Sequence, residues 1–296
     1  MIVSKSSSDD INIAVRKVYN MCTSSVVKSG GIYAEFASVM RGSYNSDNFY
    51  YGFPRNIIFK VTSNCNLRCK HCFFYGNEQN YDCKDELVDN EKIKLIKYFC
   101  EEVNIMHCTL TGGEIFTSSV IFDLIKILKK HNIPLDMLTN GILIDENLVM
   151  KLNKYLDKNY DLFQISIDGA NAATNDLIRG TGTFDKAINA VKLLKKHGFS
   201  VLIAFTINSQ NVSELPKMYQ LCKELNVDRL NVGRMISLNT SQQKLIATNE
   251  EIILSAAKLY DIYDNSIKKK MTWNIPVILL ILFNSFKTIF TYTVRI

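Results

Sequence analysis

The chain has 296 residues, of which 47% are hydrophobic and 22% charged, a composition that buries a sizeable core and excludes an intrinsically disordered protein. Its formal net charge of +6 comes largely from lysines that end predicted helices, such as Lys129 and Lys130. The sequence has no basic run interleaved with aromatic residues, which excludes nucleic acid as the expected partner.

Eight cysteines in a chain of this length are far from the short, cysteine-dense pattern of a disulfide-stabilised secreted protein. The amino terminus soon becomes polar and lacks the apolar segment of a secretory signal. We therefore expect reduced thiols and a cytoplasmic protein.

The first 54 residues contain one amphipathic stretch, residues 11–21, followed by a polar approach to Pro54 that is rich in serine and tyrosine. A leader-peptide-binding domain needs a fuller pattern of strands and helices than this segment offers. We predict a short helical prelude over residues 1–54.

From residue 55 onward, short apolar segments alternate with longer amphipathic ones, which is the pattern of a βα repeat. Six strands are predicted, at residues 57–62, 106–111, 134–139, 162–168, 201–207 and 229–233. Thr248 and Glu251 form a predicted capping box for a last helix. Connections of this length imply right-handed crossovers and a parallel sheet that collects ligands at the carboxyl ends of its strands. The predicted fold is α/β, an incomplete and laterally open parallel (β/α)6 barrel over residues 55–266.

Cys65, Cys69 and Cys72 stand in the loop after the first predicted strand. Three thiolates on one loop can hold three corners of a 4Fe-4S cluster and leave the fourth iron open to a substrate or cofactor. A structural zinc site is the alternative, but it needs four ligands. Although His71 lies within the loop, no second pair of cysteines or histidines follows. The spacing favours one 4Fe-4S cluster with an open iron.

Polar residues and glycines follow the next three predicted strands. They are Gly112, Gly113 and Glu114 after the second strand, Thr139 and Asn140 at the end of the third, and Ser166 and Asp168 in the fourth. Because side chains alternate between the faces of a strand, Ser166 and Asp168 share a face with Gln164. These residues are candidates for ligand binding at the same edge of the sheet as the cysteines.

Each candidate also has a simpler structural interpretation. Glu114 can complement the positive end of a following helix, and Ser166 with Asp168 can cap a strand end before a turn. Arg179, which precedes Gly180, can be a solvated loop cation. His71 is interpreted as a surface residue rather than a ligand.

Together these segments resemble the radical SAM enzymes, whose signature is three cysteines at this spacing after the first strand. The resemblance spans roughly residues 55–235. Four further motifs are similar to those of the branch with peptide-modifying and sulfatase-maturating members: Thr111-Gly112-Gly113-Glu114, Thr139-Asn140-Gly141, Ser166-Ile167-Asp168-Gly169 and Asp176-Leu177-Ile178-Arg179-Gly180. The fold that this resemblance implies is the partial (β/α)6 parallel barrel of radical SAM type.

The resemblance implies two cofactors, a 4Fe-4S cluster on Cys65, Cys69 and Cys72 and S-adenosylmethionine bound to its open iron. Reductive cleavage of S-adenosylmethionine then gives a 5′-deoxyadenosyl radical that abstracts a hydrogen atom from the substrate. The implied cofactor contacts are Gly112, Gly113 and Glu114 to the methionine amino group, Ser166 and Asp168 to the ribose or carboxylate, Arg179 to the carboxylate, and Thr139 and Asn140 as further candidates. No motif identifies a catalytic residue for the hydrogen transfer.

Two features depart from the pattern of this family. The position before the third cysteine, which is commonly aromatic and packs near the adenine, is His71, and aromatic residues follow at 73–75 instead. No cysteine follows Cys222, although this branch usually carries a cysteine-rich SPASM extension with one or two further clusters. The sequence therefore leaves open an enzyme with one cluster or a shortened relative of larger enzymes.

Residues 267–296 form an apolar tail. Its uninterrupted apolar core, residues 275–283, is short for a membrane span, and Asn284 and Lys287 interrupt the apolar pattern after this core. A membrane anchor is the less favoured interpretation. A buried helix or strand that closes the edge of the barrel, or the truncated end of an extension, is preferred.

The functional hypothesis is a radical SAM enzyme that modifies a side chain of a peptide or protein, with flavodoxin or ferredoxin as a low-potential electron donor. One alternative is a small-molecule radical SAM enzyme of cofactor biosynthesis, resembling the GTP cyclase of molybdopterin synthesis. The other is a truncated, non-catalytic relative. The complete cysteine loop together with Gly112, Gly113 and Glu114 favours an enzyme, whereas the missing extension favours a non-catalytic relative.

Overall fold

The computed structural model describes residues 56–72, 75, 86–237, 240–267 and 291–295. The chain divides into two units, Met1–Phe53 and Pro54–Ile296, and every described residue belongs to the second. The predicted helical prelude over residues 1–54 and the apolar stretch 275–283 of the tail therefore lie outside the described residues.

A seven-stranded sheet with its strands in chain order forms the centre of the second unit. The strands are β1 (Asn56–Thr62), β2 (His107–Gly112), β3 (Leu135–Thr139), β4 (Leu162–Ser166), β5 (Ser200–Ile207), β6 (Arg229–Arg234) and β7 (Thr291–Arg295). Strands β1 to β6 run parallel, and β7 pairs antiparallel with β6. The predicted α/β fold with six parallel strands is confirmed, and it is an unclosed barrel because β1 and β7 remain the two edges of the sheet.

One detail of the sheet differs from the prediction, and one agrees with it. Strand β4 ends at Ser166, so Asp168 lies in the loop beyond the strand rather than within it. In the tail, residues 291–295 form an edge strand, which agrees with the strand interpretation for that part of the tail. Within the described ranges, no helix has the length and apolar character needed to cross a membrane.

Helices follow the strands as the repeat predicts. They are α1 (Asp89–Glu101), α2 (Ile121–Lys130), α3 (Glu146–Leu152), α4 (Ala172–Arg179), α5 (Thr183–Lys196), α6 (Leu215–Glu224), α7 (Thr240–Gln243) and α8 (Asn249–Ile267), with single 3-10 turns at Ile115–Thr117 and Val212–Glu214. The predicted capping box is confirmed, since Glu251 N donates to Thr248 Oγ1 at 3.2 Å and Thr248 N donates to Glu251 Oε2 at 2.8 Å. Helix α4 was not predicted. It begins where the Asn171 side chain accepts a hydrogen bond from Thr174 N at 3.0 Å.

The hydrophobic core lies between the helices and one face of the sheet. Leu110, Met137, Ile165 and Ile203, one from each of four neighbouring strands, are completely buried there. The opposite face, called the inner face here, carries polar side chains that are only partly buried: Thr109, Gln164, Ser166, Thr206 and Asn231. A polar inner face that opens at the carboxyl ends of the strands is where a (β/α) barrel binds its ligands.

Candidate functional site

The residues predicted to form the site gather at the carboxyl ends of β1 to β4, as expected for a parallel sheet. The cysteine loop follows β1, Glu114 follows β2, Asn140 follows β3 and Asp168 follows β4. Side-chain contacts connect all four segments.

Each sulfur of the cysteine loop faces at least one N–H donor. Leu67 N lies 3.4 Å from Cys65 Sγ, Tyr75 N lies 3.4 Å from Cys72 Sγ, and Arg179 Nη1 lies 3.9 Å from Cys69 Sγ. Donors directed at sulfur stabilise the thiolate, which is the form that binds iron. The donor set therefore fits a cluster held by three thiolates.

Burial acts in the opposite direction on two of these thiols. It raises the pKa of Cys65, and it raises the pKa of Cys69 to about 11 although the nearby Arg179 cation opposes the rise. Without a metal centre both thiols stay protonated at neutral pH, and a metal centre deprotonates them. In the described part of the chain, no three His, Cys, Asp or Glu side chains surround a point that could hold a single metal ion.

The backbone of the cysteine loop is held from distant parts of the chain. Lys70 N donates to Ile178 O in α4 at 3.0 Å, and Gln242 Nε2 in α7 donates to Cys72 O at 3.1 Å. Gln242 is buried, with 1% of its surface exposed. The sequence does not predict this contact, because a glutamine in a short polar run after β6 carries no recognisable signal.

The glycine pair after β2 allows the backbones of two loops to touch. A Cβ on Gly112 would lie 2.3 Å from Thr62 O, and one on Gly113 would lie 2.2 Å from Asn64 O. Gly112 also has a φ of +152°, which side chains disfavour. Gly113 N donates to Thr62 O at 2.7 Å. The pair thus joins β2 to the start of the cysteine loop.

Glu114 is completely buried and connects the ends of β2 and β3. Its carboxylate accepts hydrogen bonds from Thr139 Oγ1 at 2.7 Å and from Asn140 N at 2.7 Å. It also accepts one from Phe116 N in the following 3-10 turn at 3.2 Å, so the simpler interpretation as a helix-start residue holds in part. Burial raises the pKa of Glu114 against the effect of these bonds.

Asn140 extends this connection to the cysteines. Its Nδ2 donates to Asn66 Oδ1 at 2.8 Å and lies 4.0 Å from Cys65 Sγ. Its Oδ1 accepts a hydrogen bond from Ile142 N at 2.9 Å, which fixes the orientation of the amide. Thr139 and Asn140 therefore hold Glu114 and the cysteine loop together.

Asp168, Arg179 and His71 form a second buried group beside Cys69. Arg179 Nε lies 2.6 Å from Asp168 Oδ2, and His71 Nε2 lies 3.2 Å from the same oxygen. Asp168 Oδ1 accepts a hydrogen bond from Thr206 N on β5 at 2.7 Å. The interpretation of Arg179 as a solvated loop cation is therefore wrong, because its side chain is 10% exposed and ion-paired. The interpretation of His71 as a surface residue is also wrong, because its side chain is 10% exposed and faces Asp168.

Ser166 lies on the inner face two residues before Asp168 and is only partly buried. Its hydroxyl has no hydrogen-bond partner among the residues that the structure describes. It is therefore free to bind a ligand, in contrast to Asp168, whose two oxygens face Arg179, His71 and Thr206.

Four buried polar atoms in the described ranges lack a properly directed hydrogen bond: His71 Nδ1, Asp168 Oδ2, Arg179 Nε and Asn231 Oδ1. The Arg179–Asp168 contact is close enough for an ion pair but does not have hydrogen-bond alignment. Buried polar groups without partners are rare in proteins and need an explanation. Their position beside the cysteine loop and on the inner face fits a polar cofactor.

Comparison with known proteins agrees with this geometry. Residues 59–234 match the model of the radical SAM superfamily. The chain belongs to the radical SAM superfamily. Radical SAM enzymes use a 4Fe-4S cluster and S-adenosylmethionine, the two cofactors that the residues of this site fit.

Among curated relatives, the chain is 32% identical to an AdoMet-dependent heme synthase of Methanosarcina barkeri over 58% of this chain and 48% of the relative. It is 29% identical to a pre-heme d1 synthase of Dinoroseobacter shibae over 67% of this chain and 50% of the relative. It is 30% identical to the mycofactocin maturase MftC of Mycolicibacterium smegmatis over 57% of this chain and 41% of the relative. The chain thus spans half or less of the length of these radical SAM relatives.

Solved structures have the same radical SAM fold. SuiB of Streptococcus suis bound to S-adenosylmethionine is similar with a TM-score of 0.61 at 16% identity, covering 81% of this chain and 54% of SuiB. The structure of anSMEcpe with bound AdoMet and the Kp18Cys peptide is similar with a TM-score of 0.60 at 25% identity, covering 73% of this chain and 62% of the other.

Proposed function

We propose that this chain reductively cleaves S-adenosylmethionine at a 4Fe-4S cluster on Cys65, Cys69 and Cys72, in order to modify a side chain of a peptide or protein. The observation that carries the proposal is the convergence of three donor-facing thiols with buried polar atoms that have no hydrogen-bond partner among the described residues. The bound cofactors supply a 5′-deoxyadenosyl radical for hydrogen abstraction.

The protein residues hold and orient the cofactor in this proposal. Arg179 has five N–H donors, of which Nε faces Asp168 and Nη1 faces Cys69, and the remaining donors are available to a carboxylate. The N–H groups of Gly113 and Glu114 are engaged with the cysteine loop. The backbone carbonyls of Gly112 and Gly113 are therefore our candidates to accept the methionine ammonium group.

Glu114, Thr139 and Asn140 have a positioning role in this proposal. The Glu114 carboxylate binds donors of the protein itself, so we assign it to the geometry of the loops rather than to direct contact with the amino group. Ser166, whose hydroxyl has no partner in the described part, remains a direct cofactor contact.

Several relatives support a peptide or protein as substrate. A SuiB structure contains the precursor peptide SuiA, and an anSMEcpe structure contains the Kp18Cys peptide. A second candidate, a small molecule of tetrapyrrole type, is supported by the similarity to heme synthases at 29–32% identity. We also propose a low-potential flavodoxin or ferredoxin as the electron donor. We place the protein in a reducing cytoplasm, which keeps the three thiols available to iron.

The proposal is tested by anaerobic reconstitution with iron and sulfide, followed by dithionite and S-adenosylmethionine. We expect about one 4Fe-4S cluster per chain by Mössbauer spectroscopy, because one loop supplies its ligands, and 5′-deoxyadenosine as product. Cys69→Ala should abolish both, whereas Cys100→Ala, which removes a thiol of α1 outside the loop, should retain both. A cluster without any 5′-deoxyadenosine in the intact protein would support the non-catalytic alternative.

The substrate class is tested separately from cofactor cleavage. A small peptide encoded beside the gene and a tetrapyrrole are compared as substrates at equal concentration. The true substrate should increase the formation of 5′-deoxyadenosine, and its own mass should change. A mass change in the tetrapyrrole alone would contradict the peptide proposal.

A further inference from the structure

A buried ion pair lies beside Cys69, the second cysteine of the loop. Arg179 Nη1 lies 3.9 Å from Cys69 Sγ, and Arg179 Nε lies 2.6 Å from Asp168 Oδ2. The Arg179 carbonyl oxygen lies 4.0 Å from the same sulfur, so this residue meets Cys69 through its backbone as well as its side chain. The cation therefore bridges the sulfur and the carboxylate.

The carboxylate of this pair is fixed from several sides. Asp168 Oδ1 accepts a hydrogen bond from Thr206 N at 2.7 Å, and the Asp168 carbonyl oxygen accepts one from Asn211 Nδ2 at 3.0 Å. His71 Nε2 lies 3.2 Å from Asp168 Oδ2, the oxygen that also faces Arg179. The order of the charges, with the cation in contact with the sulfur and the carboxylate in contact with the cation, is thus built into the fold.

Burial allows both charges to act on the cysteine with little screening. The Asp168 side chain is completely buried, and the Arg179 side chain is 10% exposed. Charges that are removed from water interact more strongly than exposed charges and are less affected by salt. The guanidinium also keeps its proton in a protein, so the positive charge beside Cys69 is permanent.

A permanent charge at a cluster cysteine affects how readily the cluster accepts an electron. In the proposed function, the donor is oxidised by one electron and the cluster is reduced by one, so the cluster gains one negative charge. A nearby cation stabilises the reduced state more than the oxidised state, and a nearby carboxylate does the opposite. Net charge and hydrogen bonds to the sulfurs are known determinants of the reduction potential of such clusters.

We propose that Arg179 raises the reduction potential of the cluster through Cys69 and that Asp168 opposes this effect with its negative charge. This inference rests on the proposed function. The role is separate from cofactor binding, because it uses Nη1 and Nε of Arg179, whereas the remaining N–H groups are available to a cofactor carboxylate. It acts on the protein before S-adenosylmethionine binds.

The test is a redox titration of anaerobically reconstituted protein, in which the EPR signal of the reduced cluster is followed without S-adenosylmethionine. Wild type is compared with Arg179→Gln and Asp168→Asn. Lys129→Gln is the matched control, because Lys129 and Asp161 also form a buried ion pair, with 2.8 Å between Nζ and Oδ1. Asp161 precedes β4, so this second pair lies at the opposite edge of the sheet from the cysteine loop.

The two charges should have opposite effects on the midpoint potential. In Arg179→Gln we expect the equilibrium constant for reduction to fall by about tenfold or more, which is a downward shift of about 59 mV for one electron. In Asp168→Asn the potential should rise, because the arginine stays charged and loses its counter-charge. Arg179→Lys keeps the positive charge and should restore part of the wild-type potential, and Lys129→Gln should leave it unchanged.

A general loosening of the site would instead shift the potentials of Arg179→Gln and Asp168→Asn in the same direction. That result, or no shift in either variant, overturns the inference and leaves the proposed function intact, since the cluster is still bound. If Arg179→Gln does not retain the cluster, Asp168→Asn decides: a rise supports the inference, and a fall or no change overturns it. Wild-type protein that forms no cluster overturns the inference and the proposed function together.

Discussion

At the scale of single residues, the site contains two buried carboxylates with different surroundings. Glu114 is surrounded by neutral donors from Phe116, Thr139 and Asn140, whereas Asp168 faces the Arg179 cation. The first carboxylate joins two loops, and the second fixes the orientation of the Arg179 cation beside Cys69. The same residue type thus joins two loops in one case and pairs with a buried cation in the other.

The structural role of Glu114 predicts a loss of stability on substitution. Glu114→Gln replaces one carboxylate oxygen by an NH2 group that faces donors, so we expect the free energy of unfolding to fall by roughly 2 kcal/mol. Urea denaturation measures this change. Glu224→Gln, at an exposed end of α6, is the control and should be nearly neutral. Unchanged stability with weakened S-adenosylmethionine binding would instead make Glu114 a direct cofactor contact.

At the scale of elements, the cysteine loop takes its position from the elements beside it. Strand β2 is joined to it through the backbone at Gly112 and Gly113, and the segment before α1 is joined through Glu86. Ser63 N donates to Glu86 Oε2 at 2.6 Å, and Lys92 Nζ of α1 donates to Glu86 Oε1 at 2.6 Å. The loop is therefore fixed by β2 on one side and α1 on the other.

Gly113→Ala tests the contact with β2. The new Cβ would lie 2.2 Å from Asn64 O, a backbone atom that cannot move without moving the cysteine loop. We expect a destabilisation of roughly 3 kcal/mol, since overpacking a tight contact costs that order, and a lower cluster content after reconstitution. Gly182→Ala is the control. A Cβ on Gly182 would lie more than 4 Å from any other atom, but the φ of +74° at this position strains the backbone, so this variant shows the effect of strain without steric overlap. Equal effects of both substitutions on cluster content would disprove the steric explanation.

The contact with α1 has a predictable pH dependence. Burial raises the pKa of Glu86, but the hydrogen bonds from Lys92 and Ser63 outweigh it and leave the pKa below the ordinary value of 4.5. A lowered pKa in the folded state stabilises the protein above the unfolded value, and this stabilisation is lost as the pH falls through the folded value. The stability advantage of wild type over Glu86→Gln should therefore be present at neutral pH and shrink below pH 4.5. Urea denaturation across this range measures it, and a constant difference would contradict the prediction.

At the scale of the whole molecule, residues far apart in sequence converge on one loop. The cysteine loop makes hydrogen bonds with three distant residues: Asn140 after β3, Ile178 in α4 and Gln242 in α7. A cluster bound by the loop is thereby coupled to the segments that hold the loop. A ligand that binds only the folded state of a protein stabilises that state by mass action.

Removal of the cluster should therefore loosen a defined region. We expect hydrogen exchange measured by mass spectrometry to increase at residues 63–72 and around Gln242 in cluster-free protein, because these backbone groups are held through the loop. Strands β3 to β5 should remain protected, since their core contacts do not depend on the loop. Cys69→Ala should reproduce the pattern without a chelator. Uniform loosening of the whole sheet would show that the cluster is required for the fold itself.

Much of the fold follows from local pattern. The six parallel strands were predicted because apolar segments repeat at regular intervals, and the capping box at Thr248 was predicted because it is contained within four residues. Helix α4 was missed because it is short and polar. The roles of His71 and Gln242 were missed because their partners, Asp168 and Cys72, lie far away along the chain, 170 residues in the case of Gln242.

The sequence by itself determined the fold class, the family motifs and the three thiols that we propose as iron ligands, because these depend on spacing along a local stretch of chain. Only the tertiary structure decided which polar groups are already bound to one another and which remain without a partner in the described part of the chain. It directed Glu114 to Thr139 and Asn140, paired Arg179 with Asp168, and left the Asn231 oxygen buried and free. The physical reason is that hydrogen-bond satisfaction depends on distances across the sheet, and linear spacing does not contain those distances.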